Sequence, residues 1–190
     1  QVMNTLQPGL CVLGTRLPGC FNVFEMSVRA VLGQQITVKA ASTLAARLVA
    51  AYGTQVQTGI GGLTHSFPAP AAILALGENI SWHLGKLGII SARANTIYQL
   101  ARVLADEKND FGFCGNPEEE MQKLQSIRGI GSWTAQYIAM RAMGWPDAFL
   151  PTDAGIKKAL PDHTPKELQA LSEAWRPWRS YATVNLWNTL

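Results

Sequence analysis

An all-α fold is predicted by three features of the 190-residue chain. Apolar residues recur three and four apart through the longer segments, Gly, Pro and capping residues punctuate them, and the alternating pattern of a strand is missing. Asn22–Leu32 and Thr37–Tyr52 open the series, the second with Val38, Ala41, Leu44, Ala45 and Leu48 on one face. Gly53–Pro70 is rich in Gly, Thr and Pro and reads as a polar surface loop. Ala71–Leu76 and Ser81–Leu87 are short helices, and Ser91 caps a longer one that runs to about Asp106 with Ile97, Leu100, Ala101 and Leu104 inward. Asn116, Pro117 and Glu118–Glu120 make a helix start: a cap, a proline at the first position and acids at the positive dipole end. Met121, Leu124 and Gln125 carry that helix towards Ile127, and Gly129 and Gly131 break it. Ser132 caps the next helix, with Trp133, Tyr137, Ile138 and Met140 along it. A short helix follows Asp153, another starts at Thr164-Pro165, and Pro177 starts the last.

Composition narrows the class. A chain of 190 residues buries a real core in one or two lobes, and 47% of this one is hydrophobic. The net charge of +3 mildly favours a nucleic-acid partner without deciding for one. Cys11, Cys20 and Cys114 are odd in number and widely spaced. They form neither a zinc spacing nor a disulfide framework, which suits a reducing, intracellular compartment. Neither a signal peptide nor an apolar run long enough to cross a membrane stands out.

The stretch from Leu124 to Lys158 carries most of the chemistry. Glycine permits positive φ and leaves the backbone bare, so Gly129 and Gly131 let a ligand approach. Backbone N–H groups of this turn and of the following helical turn would form an anion site. A plain connection between packed helices would use the same glycines. The carboxylate of Asp153 one helix later, after Leu150-Pro151-Thr152 and at the mouth of another helix, favours the phosphate-binding reading.

On these residues the chain resembles the helix-hairpin-helix (HhH-GPD) DNA glycosylases, and within them the bacterial 3-methyladenine DNA glycosylase II branch. The matching pieces are RLPGC at Arg16–Cys20, VRAVLGQQIT at Val28–Thr37, LGIISARANTI at Leu87–Ile97, IRGIGSWTAQY at Ile127–Tyr137, FLPTDAGIKK at Phe149–Lys158 and WRPWRSYATVNLW at Trp175–Trp187. They run in the family's order across nearly the whole chain. The resemblance implies two helical lobes around a DNA-binding cleft, one spanning residues 23–145 and the other combining 1–22 with 146–190. Asp153 would face that cleft. Relatives carry a small β-rich domain ahead of this point, so the chain is expected to be a piece of a longer or fused repair protein.

The resemblance also implies roles. An enzyme that breaks the C1′–N bond of a damaged nucleotide rotates it out of the duplex, so it needs a backbone anchor, a plug and a base pocket. Amides of Gly129, Gly131 and Thr134 would hold phosphates. Main-chain carbonyls of Gln125, Ile127 and Ile130 would hold a Na+ or K+ ion. No other cofactor is expected, and with no cysteine beyond Cys114 the iron–sulfur loop of some relatives is missing. The plug falls in Gly33-Gln34-Gln35-Ile36, with Gln35 where the bacterial branch has an apolar wedge. Trp133, Tyr137 and Trp187 match pocket positions, and electron-rich rings attract cationic alkylated purines. Ala154 replaces an aromatic residue that follows the catalytic Asp in the relative, which implies a roomier pocket. Trp82, Trp145, Trp175 and Trp178 read as structural. Trp133 also takes the place of the lysine that cleaves the strand in bifunctional relatives, and an indole forms no Schiff base.

The expectation is therefore a monomeric, monofunctional DNA glycosylase of base excision repair, in a bacterial cytoplasm or nucleoid. It would act on double-stranded DNA and release 3-methyladenine and 7-methylguanine, with Asp153 stabilising the oxocarbenium-like sugar. The alternatives are a non-catalytic helix-hairpin-helix DNA-binding module and a glycosylase for oxidised or deaminated purines.

Overall fold

The computed structural model describes residues 9–106 and 116–190, whose regular secondary structure is almost entirely helical. Cys114 lies outside the described residues. The helices are α1 (Val23–Leu32), α2 (Val38–Tyr52), α3 (Pro70–Leu74), α4 (Ile80–Gly85), α5 (Ser91–Leu104), α6 (Pro117–Ser126), α7 (Ser132–Arg141), α8 (Ala154–Ala159), α9 (Pro165–Ser172) and α10 (Arg179–Trp187). The chain divides into two compact units. Among the described residues, one comprises 9–21, 116–122 and 131–190, and the other 22–106 and 123–130.

In the unit formed by 22–106 and 123–130, α5 is the central element, with α1, α3 and α4 packed on it. Its spacing explains this: Ala94, Ile97, Leu100 and Ala101 recur three and four apart and are fully buried. Val28, Val31 and Leu32 of α1, Leu48 of α2, Ile73 and Leu84 add to that core. Helix α2 buries only Ala45 and Leu48; Val38, read from the sequence as part of its apolar face, is 83% exposed, because the inward stripe begins a turn later. Asn22 and Thr37 cap α1 and α2 by accepting from Glu25 N and Ala40 N. The polar segment 53–70 contains a two-residue antiparallel ribbon, Thr54–Gln55 against His65–Ser66.

The other unit is built around Leu150, Ile156, Leu168, Trp175, Met140 and the inner face of α10. Thr164 and Glu167 form a reciprocal capping box at α9. Asn116 accepts from Glu118 N at the start of α6. The N-terminal segment is tied to α10 by Asn185, whose Oδ1 accepts from Val12 N at 2.9 Å and from the Thr15 hydroxyl at 3.2 Å.

Three boundary expectations are corrected. Ser91 and Ser132 are the first helical residues rather than caps: Ile90 and Gly131 occupy the cap positions, and neither helix has a side-chain cap bond. The last helix starts at Arg179 rather than Pro177. Of the tryptophans assigned to structure, Trp175 is buried in the core, whereas Trp82 and Trp178 are 60% and 42% exposed. Trp82 instead lies under the Lys86 ammonium, 3.3 Å from its ring centroid.

Candidate active site

The segment leading to Asp153 is held from several sides. Asp147 is buried and accepts from Arg179 at 2.8 Å (Nε to Oδ1) and 3.0 Å (a terminal nitrogen to Oδ2). The same terminal nitrogen of Arg179 donates to the Asp147 carbonyl at 2.8 Å. Arg176 donates to Asp147 from its other side and also to Glu173. That bond from Arg176 is the main reason the Glu173 carboxyl sits below the usual glutamate range. Ser180 donates its hydroxyl to the carbonyls of Trp145 at 2.7 Å and Ala148 at 3.1 Å. Gln136 of α7 accepts from Phe149 N at 3.2 Å. These bonds clamp residues 145–149 to α10 and α7, so the chain enters Pro151-Thr152-Asp153 from a rigid base.

Asp153 is the N-cap of α8, in extended backbone, and Oδ1 accepts from Gly155 N at 2.8 Å and Ile156 N at 3.1 Å. The same oxygen accepts from Trp187 Nε1 at 2.9 Å, and Oδ2 accepts from Trp133 Nε1 at 3.0 Å. Four N–H donors thus converge on two oxygens. Three of them share Oδ1 and one meets Oδ2, so Oδ2 keeps acceptor capacity for a further partner. The charge of the carboxylate is fixed in place by side chains from α7 and α10, and the residue stays partly accessible.

The aromatic residues adjoin this carboxylate. Trp133 and Tyr137 stack with centroids 5.2 Å apart and planes 6° apart; Trp187 lies tilted at 6.2 Å from Tyr137. The Arg141 guanidinium is 5.7 Å from the Tyr137 centroid and donates to its hydroxyl at 3.3 Å. All three rings are half-buried. The structure therefore brings Asp153, Trp133, Tyr137 and Trp187 together, and it adds a link absent from the sequence reading: both tryptophans hold the aspartate as well as flanking it.

The hairpin residues are placed as follows. Gly129 has φ +97°, and a Cβ there would lie 2.0 Å from Thr96 Oγ1. Thr96 is buried, and its hydroxyl donates to the Arg128 carbonyl at 3.0 Å. Gly131 is extended at φ −90° and has open space where a Cβ would go. The Ile127 and Ile130 side chains are buried, Gln125 is exposed, and Ile130 N donates to Ile127 O at 3.0 Å. Thr134 has a buried side chain in the first turn of α7.

In the α1–α2 turn, Gln35 is exposed in the left-handed region at φ +55°, the one non-glycine residue there among those described. Gln34 points its amide at the Gly129 carbonyl, 3.0 Å away, and its own carbonyl accepts from Arg93.

Several participants escaped the sequence. Gly155 is one: a Cβ there would lie 2.7 Å from Trp187 Cδ1 and 2.9 Å from its Nε1, so only glycine lets that indole reach Asp153. Its spacing two residues after the aspartate is the only local hint. Arg93 and Thr96 lie within a segment quoted for the resemblance, yet nothing local says what they touch. The Asp147–Arg179 pair is separated by 32 residues and leaves no local signal.

Comparison with known proteins places the chain in a family. Residues 28–178 match the family model of HhH-GPD superfamily base excision DNA repair proteins. The chain is 42% identical over 181 residues to the "Probable bifunctional transcriptional activator/DNA repair enzyme AlkA" of Mycobacterium tuberculosis, covering 93% of this chain and 35% of that one. It is 38% identical over 176 residues to DNA-3-methyladenine glycosylase 2 of Escherichia coli, covering 93% and 61%. A solved 3-methyladenine DNA glycosylase from Archaeoglobus fulgidus superposes with a TM-score of 0.75 at 26% identity, over 90% of this chain and 58% of that one. The chain thus spans less than two thirds of the length of each of these relatives.

Proposed function

We propose a function from one premise: the chain belongs to the HhH-GPD superfamily of base excision DNA repair proteins. It is a monofunctional DNA glycosylase that binds double-stranded DNA, turns out an alkylated purine such as 3-methyladenine or 7-methylguanine, and hydrolyses its glycosidic bond. The observation that carries this reading is the Asp153 carboxylate, oriented by two indole N–H groups and two backbone N–H groups beside a stacked aromatic pair.

The chemistry follows from the charge distribution. An alkylated purine is cationic and leaves readily, so the sugar acquires positive charge as the C1′–N bond lengthens. A carboxylate already fixed and already desolvated on several sides stabilises that charge without reorganising. Water then completes the sugar, with Asp153 positioned to orient it or take its proton. The tryptophan and tyrosine faces attract the cationic base. Gly129, Gly131 and Thr134 supply backbone N–H groups for phosphates, which position DNA without reading sequence. Gln35 enters the stack where the nucleotide leaves; its exposure at the apex of a turn supports that assignment.

The reaction needs no cofactor. A monovalent cation at the hairpin would be held by the carbonyls of Gln125, Ile127 and Ile130. The Ile127 carbonyl also accepts from Ile130 N, so it would serve such an ion through its second lone pair.

The test is direct. Incubating the protein with methylated duplex DNA and resolving the released bases by chromatography should yield free alkylated purines. Asp153→Asn should lower the rate at least on the order of a hundredfold. The substitution removes the charge and also turns an amide N–H towards one of the indole donors. Wild-type rates from Asp153→Asn, or DNA binding with no base release by the unaltered chain, would leave the non-catalytic DNA-binding module as the correct reading.

A further inference from the structure

We infer a second DNA-backbone site on the outer face of α2, separate from the hairpin and continuous with the turn that carries Gln35; the inference rests on the DNA-binding part of the reading above. A groove of about 480 Å³ is lined there by Ile36, Ala40 and Leu44 along its floor and by Lys39, Arg47 and Arg93 around it. Three cations border one shallow groove, and among the described residues no carboxylate lies within ion-pairing distance of any of them. Surface cations are ordinarily interspersed with acids, and this face carries three with no ion-pair partner among the described residues.

The two arginines are also held in position. Arg47 donates to the Leu87 carbonyl at 3.1 Å and Arg93 to the Gln34 carbonyl. A carbonyl partner orients a guanidinium without cancelling its charge, and the remaining N–H groups stay available for an anion. The apolar floor matches the other half of a nucleic-acid backbone, whose deoxyribose faces are apolar between phosphates.

Position supplies the occupant. Arg93 binds the carbonyl of Gln34, Ile36 follows Gln35, and Thr37 caps the helix whose next residues line the groove. A strand that Gln35 enters has its neighbouring phosphates within a few residues of the plug, on the side where Lys39 and Arg47 lie along α2. The site is therefore a sugar–phosphate clamp flanking the point of nucleotide extrusion. It adds affinity and grips the strand next to the plug without reading its bases.

The experiment uses the salt dependence of binding to intact duplex DNA, measured by fluorescence anisotropy, on the same chain assayed for base release. Each neutralised phosphate contributes about 0.9 to the slope of log Kobs against log salt. Lys39→Gln should lower the slope by about one, and Lys39→Gln with Arg47→Gln by about two. Arg47→Lys in place of Arg47→Gln should restore most of the second unit. Arg102→Gln, an exposed arginine of the same unit outside the groove, should leave the slope unchanged. Circular dichroism and the thermal midpoint of each variant separate lost contacts from lost folding, and Lys39→Gln removes no hydrogen bond that holds the fold. An unchanged slope in the folded double variant, or an equal fall in Arg102→Gln, overturns the site. Loss of binding to polyglutamate with duplex binding intact would make the groove a surface for acidic protein and overturn it as well. Base release by the unaltered chain decides the glycosylase reading independently: a chain that binds DNA with the predicted slopes and releases nothing keeps this site and loses the enzyme.

Discussion

Trp187 separates two roles that the sequence alone merges. As a ring beside Tyr137 it can flank a cationic base; as an N–H donor at 2.9 Å it holds Asp153. Trp187→Phe keeps the ring and removes the donor. A hydrogen bond to a charged acceptor contributes about 1.5–3 kcal/mol, so excision should fall roughly tenfold to a hundredfold while affinity for undamaged duplex is nearly unchanged. Single-turnover base release reads this. Full activity in Trp187→Phe would mean that the ring alone matters. Trp133 decides a second outcome. With an indole in the lyase position, borohydride should trap no covalent enzyme–DNA adduct and base loss should leave the strand uncut. A trapped species on a denaturing gel would point to another amine, Lys157 being the one nearest in sequence to Asp153. Residue identity also explains why these roles were only half legible. Trp133 and Tyr137, four apart on one helix, announce a shared face, but nothing at that spacing says that the indole N–H meets a carboxylate twenty residues on.

At the scale of elements, the two hairpin glycines are not equivalent, although the sequence presents them as a matched pair. Gly129 sits at positive φ with Thr96 directly over its missing side chain, whereas Gly131 is extended and open. Gly129→Ala must strain the backbone and push Thr96 off the Arg128 carbonyl, a combined cost of about 1–3 kcal/mol or more. Thr96→Ala in that background should recover the steric part only, since the strained φ remains. Gly131→Ala should shift stability by about 0.5 kcal/mol at most. Urea denaturation of the three variants gives the comparison, and equal losses at the two glycines would refute the asymmetry. The helix ends teach a related lesson. Asn116 caps its helix as read from the sequence, and Asn22, Thr37 and Thr164, read only as helix starts, are caps too, each accepting from a first-turn N–H. Ser91 and Ser132 look the same and are not caps, because the chain reaches α5 and α7 one residue earlier, in extended backbone at Ile90 and Gly131. Glycine has no side chain to cap with, so α7 starts without the side-chain cap bond that α1, α2 and α9 have.

At the scale of the whole molecule, the unit bearing Asp153 depends on an ion pair that local sequence does not reveal. Asp147 is 6% exposed and Arg179 4%, and four polar contacts join Asp147 to Arg179 and Arg176. Removing Arg179 leaves Asp147 with little water and only the half-exposed Arg176 as its counterion. Arg179→Met should therefore cost about 3 kcal/mol, the lower end for a broken buried pair and still more than most surface changes. Chemical denaturation measures it, and a loss below about 1 kcal/mol would mean that local rearrangement relieves Asp147. At temperatures where the variant remains folded, excision should fall less than in Asp153→Asn, because the clamp positions the loop without touching the reacting atoms.

The helical class, several helix starts and the glycine turn at Gly129 were legible along the chain, in local spacing or in a short motif. That Asp153, Trp133, Tyr137 and Trp187 share one site was implied by the family resemblance, since Trp187 lies 34 residues from Asp153 and no local pattern joins them. Tertiary structure alone decided that Trp133 and Trp187 donate to Asp153, that Gly155 makes room for the second indole, that Gln34 braces Gly129 while Gln35 stands free at φ +55°, and that Arg179 holds the loop before the aspartate. The reason is physical. Periodicity and capping act over three or four residues and leave a regular signature, whereas a hydrogen bond between residues 20 to 95 positions apart depends on where packing puts their backbones, which no single stretch of the chain specifies.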